Sequence, residues 1–253
     1  MPTQTLVPIT TITFPEIALR TRDAHKLRGY FGELFREHSP LLHNHLESGG
    51  TDLRRSDASD QTNSGQPGDA EGAVTVKFRY AYPLVQYKVL DRVPTLVGLG
   101  EGAGLLAQLF LPIREIDIDG DVFPVLSKHI RHEQAGIGMT DDLIEYRFET
   151  LWMALNQTNY RDYRHYTEAE KHAQLKRVLT SQILAVFREF GIWLQPHERI
   201  ILRLSVEERT TQFKNQTMVA FMGSFLANTV LPDGLGLGKA VSRGFGSLKQ
   251  VNN

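Results

Sequence analysis

The 253-residue chain contains no cysteine, so disulfide bonds and cysteine-ligated zinc sites are both excluded. No run of about 18 consecutive apolar residues occurs, which excludes a membrane-spanning helix on the pattern. The N-terminus lacks a basic segment followed by an apolar run. No signal peptide is therefore expected, and the expectation is a cytoplasmic protein with no membrane partner. An excess of positive charge is missing too. The chain has 28 Lys and Arg against 29 Asp and Glu, a net charge of -1, which at first speaks against a nucleic-acid partner. The charge is unevenly spread, however. Glu47 to Glu71 holds six acids and two arginines, and the rest of the chain has 26 basic and 23 acidic residues, a net of +3. The last twenty residues, from Gly234 onward, carry Lys239, Arg243 and Lys249 and no acid. A hydrophobic content of 41% is enough for a core, and the length suits two ordinary domains or one large one.

What the chain does have is glycine near its end. Five glycines fall in the fifteen residues from Gly234 to Leu248. Glycine lets another group approach the backbone closely, and a loop flanked by Lys239, Ser242 and Arg243 can cradle a phosphate. The spacing is neither that of a Walker A loop nor that of the dinucleotide fingerprint. The bland alternative is a long loop that closes a sheet and holds no ligand.

The two pairs, Gly236-Leu237-Gly238 and Gly244-Phe245-Gly246, are separated by five residues and lie close to the C-terminus. This pattern resembles the signature loop of the RAMP superfamily, CRISPR-associated RNA-binding proteins built on ferredoxin-like folds. Within it the chain is most similar to the sixth Cas family, the endoribonucleases that cut CRISPR precursor RNA, and to its b subgroup. The resemblance implies an α+β fold of two tandem ferredoxin-like (RRM-like) domains with a C-terminal glycine-rich loop. It implies CRISPR repeat RNA or crRNA as partner, bound across the domains, with a CRISPR effector complex as a further partner. No cofactor is expected, and the chain is expected to act as a monomer or homodimer. Two other readings share the loop: a non-catalytic RAMP subunit that holds crRNA in an effector complex, and a nucleotide-binding enzyme that uses the loop for a small phosphate.

Taken in order, Thr5 to Leu19 reads as a strand ended by Pro15. Asp23 is a candidate N-cap for a helix that buries Leu27, Phe31, Leu34 and Phe35, exposes His25, Lys26, Arg28 and Glu33, and ends near His38. Ser48 to Ala73 has almost no apolar residues and reads as a disordered insertion. Val74 to Tyr82 alternates like a half-buried strand. Leu84–Leu90 and Val93–Leu99 flank a turn at Asp91-Arg92, a short helix runs to Phe110, and Ile113–Ile118 is a further strand. This order is the ferredoxin-like unit and places a first domain at 1–126 and a polar linker at 127–142. In the second domain, 143–253, Leu143–Leu155 is a strand. Thr167 and Glu170 form a capping box, a long helix stops at Gly191, and Arg199–Glu207 and Met218–Val230 are strands before the glycine loop at 234–248.

The family's reaction, as the resemblance implies, is metal-independent attack of a 2′-hydroxyl on its own phosphate, leaving a 2′,3′-cyclic phosphate and a 5′-hydroxyl. That chemistry needs a base, an acid and cations for charge on phosphorus. Histidine suits both proton roles. His43, His45 and His38 are the candidates in that order, because the family's histidine falls near the end of the first helix. Lys26 and Tyr30 are candidates for stabilising charge or orienting the phosphate. Gly236, Gly238, Lys239, Ser242, Arg243, Gly244 and Gly246 are the candidate RNA contacts. The pair His43-x-His45 lacks a patterned carboxylate beside it, so no metal site is expected. His129, His132, His165, His172 and His197 read as solvated. Tyr80, Tyr82 and Tyr87 read as core, with base stacking the alternative, and Tyr160, Tyr163 and Tyr166 as an exposed polar connection. Because Ser48 to Ala73 lacks apolar residues, deleting Gly49 to Gly72 is expected to leave the melting temperature nearly unchanged in calorimetry. A large drop would show that the segment packs.

Overall fold

The computed structural model describes residues 2–35, 38–42, 82–213 and 216–251. The expected insertion, Ser48 to Ala73, and most of the strand expected at Val74–Tyr82 lie outside them. Strand β1 (Gln4–Thr13) is central and buried on both faces: Val7 and Ile9 enter one hydrophobic cluster, Ile12 and then Phe14 the other. Helix α1 (Ala24–Leu34) buries Leu27 and Phe31, with Phe35 just past its end, against the second cluster. Asp23 precedes α1 with no side-chain capping bond; its carboxylate instead accepts from Arg20 N–H at 3.2 Å. Strands β2 (Val85–Leu90) and β3 (Val93–Leu99) form a hairpin across Asp91 and Arg92, both at positive φ, the signature of a type I′ turn. Helix α2 (Glu101–Phe110) follows as expected.

Two expectations fail next. The stretch at Ile113–Ile118 does not join the main sheet. It supplies β4 (Glu115–Ile118), which pairs only with β5 (Asp121–Pro124) in a separate hairpin beside α1. The polar segment expected as a linker, 127–142, is mostly strand, the first part of the 20-residue β6 (His129–Phe148). Its polarity reflects exposed side chains on a strand, and one edge of its backbone is engaged: residues 129–138 pair with β1. The first half is thus β1-α1-β2-β3-α2-β6, with antiparallel order β6-β1-β3-β2, the ferredoxin-like arrangement.

The second half reuses β6. Helix α3 (Gln157–Tyr163) occupies the stretch expected as a polar connection, and there Tyr163 is buried. Helix α4 (Glu168–Glu189) begins at the Thr167–Glu170 capping box and stops at Gly191. Strand β7 (Leu202–Phe213) starts later and runs longer than its sequence pattern. It pairs with β8 (Gln216–Val230), β8 pairs with β6, and β9 (Leu248–Gln250) pairs with Tyr146–Phe148 on the other edge of β6. The order β7-β8-β6-β9 is again ferredoxin-like, and the glycine loop stands where a second helix would connect the last two strands. The fold is therefore α+β with two tandem ferredoxin-like units sharing one strand.

The loop turns back on itself through two backbone bonds, Leu237 N–H to Gly246 O at 2.9 Å and Leu248 N–H to Leu235 O at 2.9 Å. Gly246 has φ +66, and a Cβ there would overlap the Leu237 carbonyl oxygen. Only glycine fits that position. Gly246→Ala is expected to lower stability by more than about 2 kcal/mol, read from urea unfolding at constant m.

Candidate functional site

Edge strand β2 would expose unpaired backbone groups, and the glycine loop covers it. Side chains alternate along β2. Val85, Tyr87 and Val89 enter the core under α1, where Tyr87 stacks on Phe31 with ring centroids 6.0 Å apart. Gln86 and Lys88 point to the other face, where the loop lies. Gly236 N–H donates to Gln86 Oε1 at 3.1 Å, and Tyr82 Oη donates to the Gly236 carbonyl at 2.7 Å. Gln86 Nε2 in turn donates to Tyr82 Oη at 2.8 Å. A Cβ on Gly236 would lie 2.5 Å from Val241 Cγ1 and 3.0 Å from Gln86 Oε1, so a side chain there would force those neighbours to shift. Tyr82 and Tyr87 are structural, as their alternation suggests.

The loop's glycines face inward. Gly236, Gly244 and Gly246 are buried. The N–H groups of Gly236, Gly244 and Gly246 donate to Gln86, Val241 and Leu151, and that of Lys239 to Met153. These glycines serve close packing of the loop, and their amides are spent inside the protein. What faces outward is an arc from Gly238 to Arg243, with Lys239 exposed and Ser242 and Arg243 half-buried. At its far end a one-turn 3-10 segment, Val241–Arg243, packs on β2 and α1, and a Cβ on Gly244 would lie 2.6 Å from Ala24 Cβ at the start of α1.

Helix α1 meets two different neighbours. Residues four apart share a face. Ala24 touches the glycine arc, and Arg28, one turn on, is half-buried. Burial, then the neighbouring Arg243 guanidinium, pulls the Arg28 pKa below its usual value, with Tyr87 opposing; burial lowers Arg243 as well. Two guanidiniums, one from each unit, are therefore each partly desolvated, and the charge of Arg243 acts on Arg28. Lys26 and Tyr30 lie on the opposite side of the helix and meet the β4–β5 hairpin. Lys26 Nζ is 2.8 Å from Asp119 and 3.2 Å from Asp23, and Tyr30 Oη donates to the Glu115 carbonyl at 3.2 Å. Their polar atoms are taken up in holding the hairpin. Arg28 was legible only as one more residue of a polar face; Ala24 at i−4, small enough for a backbone to approach, is the signal that could have singled it out.

Of the three histidines, His38 is described. It is exposed in the turn after α1, with its ring edge-on to Phe35 at 5.5 Å between centroids. His43 and His45 lie outside the described residues. Leu42, one peptide bond before His43, is buried in the cluster under α1. Among the described residues no group of three His, Asp or Glu is placed to hold a metal ion, and no helix is long and apolar enough to cross a membrane.

Two family models match the chain in order. The Cas6b N-terminal domain matches residues 5–53 and 73–136, and the Cas6b C-terminal domain matches 138–251. The junction between them falls within β6. A crystal structure of Cas6b is 31% identical with a TM-score of 0.81, over 98% of this chain and 100% of that one. A crystal structure titled CRISPR RNA processing endoribonuclease Cas6b is 28% identical with a TM-score of 0.72, over 98% and 100%. An uncharacterized protein of Methanocaldococcus jannaschii is 30% identical over 146 residues, 58% of this chain and 99% of that relative. With both domains matched in sequence and the whole architecture matched in space, the chain belongs to the Cas6b family.

Proposed function

We propose that this chain is an endoribonuclease that binds CRISPR repeat RNA and cuts precursor crRNA beside a repeat stem. The observation that carries the reading is the packing of the Val241–Arg243 turn on α1, which lets the charge of Arg243 act on Arg28. One guanidinium comes from each ferredoxin-like unit, and both are held part-buried beside an outward arc bearing Lys239 and Ser242. Like charges brought together at a partly desolvated surface favour an anion with several oxygens, and guanidinium pairs suit phosphate. The related structure's description as a CRISPR RNA processing endoribonuclease supports RNA as that anion.

In the proposed reaction the 2′-hydroxyl attacks its own phosphorus and the 5′-oxygen departs, giving 2′,3′-cyclic phosphate and 5′-hydroxyl ends. His43 moves a proton as base or acid, with His45 and then His38 as alternatives. Leu42, anchored in the core, fixes where the chain leaves the end of α1 one residue before His43. Arg28 and Arg243 take the charge-stabilising role expected of Lys26 and Tyr30, because those two are engaged with Asp119 and Glu115.

Lys239→Ala combined with Arg243→Ala is expected to weaken repeat binding and to flatten its dependence on log salt by up to about 2 in slope. Binding unchanged across a salt series would remove the arc from the interface. His43→Ala is expected to slow single-turnover cleavage by roughly 10²–10⁴-fold while repeat binding survives. Cleavage in EDTA should match cleavage without it, since the nucleophile is the substrate's own hydroxyl. Full activity in a chain with His38, His43 and His45 all replaced by alanine would make the silent RNA-holding subunit the better account.

A further inference from the structure

One charged group beneath the loop has no role in the reading above. Lys88, on β2, has a relative exposure of 0%, and among the described residues its Nζ has no hydrogen-bond partner. Leaving an amine unpaired in a protein interior is costly, so such a group is a candidate for function. The glycine loop crosses directly over this side chain. A Cβ on Gly236 would lie 3.2 Å from Lys88 Nζ, and one on Gly244 would lie 3.5 Å from Lys88 Cα. Lys88 therefore spans the interval between the two glycine pairs, beneath the arc that carries Lys239, Ser242 and Arg243. In the register of the sheet it opposes Thr95 of β3, which opposes Thr13 of β1. Those two threonines are among the residues lining an open cleft of about 470 Å³, together with His129, Arg131, Glu149, Asp233 and Lys249.

Resting on the RNA-binding reading of that arc, we propose that Lys88 is a positioning residue. Its buried amine underlies Gly236, with its Cα beneath Gly244, and supports bound phosphate from below, through a backbone kept side-chain-free. Glycine at position 236 then has a second purpose, because any side chain would separate the amine from the loop surface. The titratable groups on the elements packed against Lys88 are Glu149 after β6, Tyr82 and Tyr87 at β2, Arg28 on α1, and Lys239 and Arg243 in the arc. Of these, Glu149 favours the protonated amine, while burial opposes it more strongly and brings its pKa down to about 7. The sign follows. Below that pH the amine carries its charge, and an anion above it is stabilised. As pH rises through about 7 the charge is lost and so is that support, while an arriving phosphate draws a proton back onto Lys88.

The test is binding of labelled CRISPR repeat RNA from pH 6 to pH 9 by the full chain, by Lys88→Met and by Lys88→Gln. Melting temperatures would confirm that both variants fold. Wild-type affinity is expected to exceed that of both variants by about tenfold at pH 6 and by less than about twofold at pH 9, one unit of proton linkage being tenfold. A residue with only a packing role would shift melting temperature and leave the pH profile parallel to wild type. Parallel profiles in both variants would overturn this inference while leaving the proposed function intact. Absence of wild-type binding at every pH would overturn both.

Discussion

The structure depends on one strand that both halves of the chain use. Along β6, β1 takes one edge at residues 129–138 and β9 the same edge at Tyr146–Phe148, while β8 lines the other edge from Gly138 to Arg147. Backbone N–H and C=O groups in a sheet interior call for partners. Sharing β6 satisfies that demand for two ferredoxin-like units with a single segment. It also sets their relative position, because two units built on one strand cannot rotate independently. The arc at 238–243 and helix α1 belong to different halves of the chain, and this common strand is what brings them to the same edge.

That edge belongs to β2, and its protection explains the glycines. A helix in place of the glycine loop would repeat the first unit but would leave β2 open. An extended loop can reach across to Gln86 and Tyr82 only if it lies nearly in contact with the strand, which excludes side chains at Gly236 and Gly244. The two readings of the motif, a loop that closes a sheet and a loop that meets a phosphate, are then compatible. The glycines do the closing, and the basic residues between them are pushed outward by it.

Helix α1 makes the same point at the scale of one element. Its polar residues look equivalent in sequence, yet Lys26 and Tyr30 tie down a hairpin while Arg28 comes under the charge of Arg243. The difference arises from 100° per residue of helical rotation combined with two neighbours contributed from far along the chain. Lys88 belongs to this class as well. In sequence it is a polar position alternating with Tyr87 and Val89, as on any half-exposed strand, and only the loop's return from the other end of the chain buries it.

The sequence by itself determined the local elements and the motif. Asp91-Arg92, the Thr167–Glu170 capping box, the stop at Gly191 and the paired glycines all act within a few residues, where backbone preferences and nearby hydrogen bonds decide the outcome. Tertiary structure decided what depends on partners distant in the chain. It made residues 129–138 a strand, because β1 supplies the hydrogen bonds that a polar segment cannot supply to itself. It turned the backbone of Gly236 inward, since Gln86, 150 residues away, is its acceptor. And it selected Arg28 from a face of similar side chains, because desolvation and charge are properties of the space a residue shares with others.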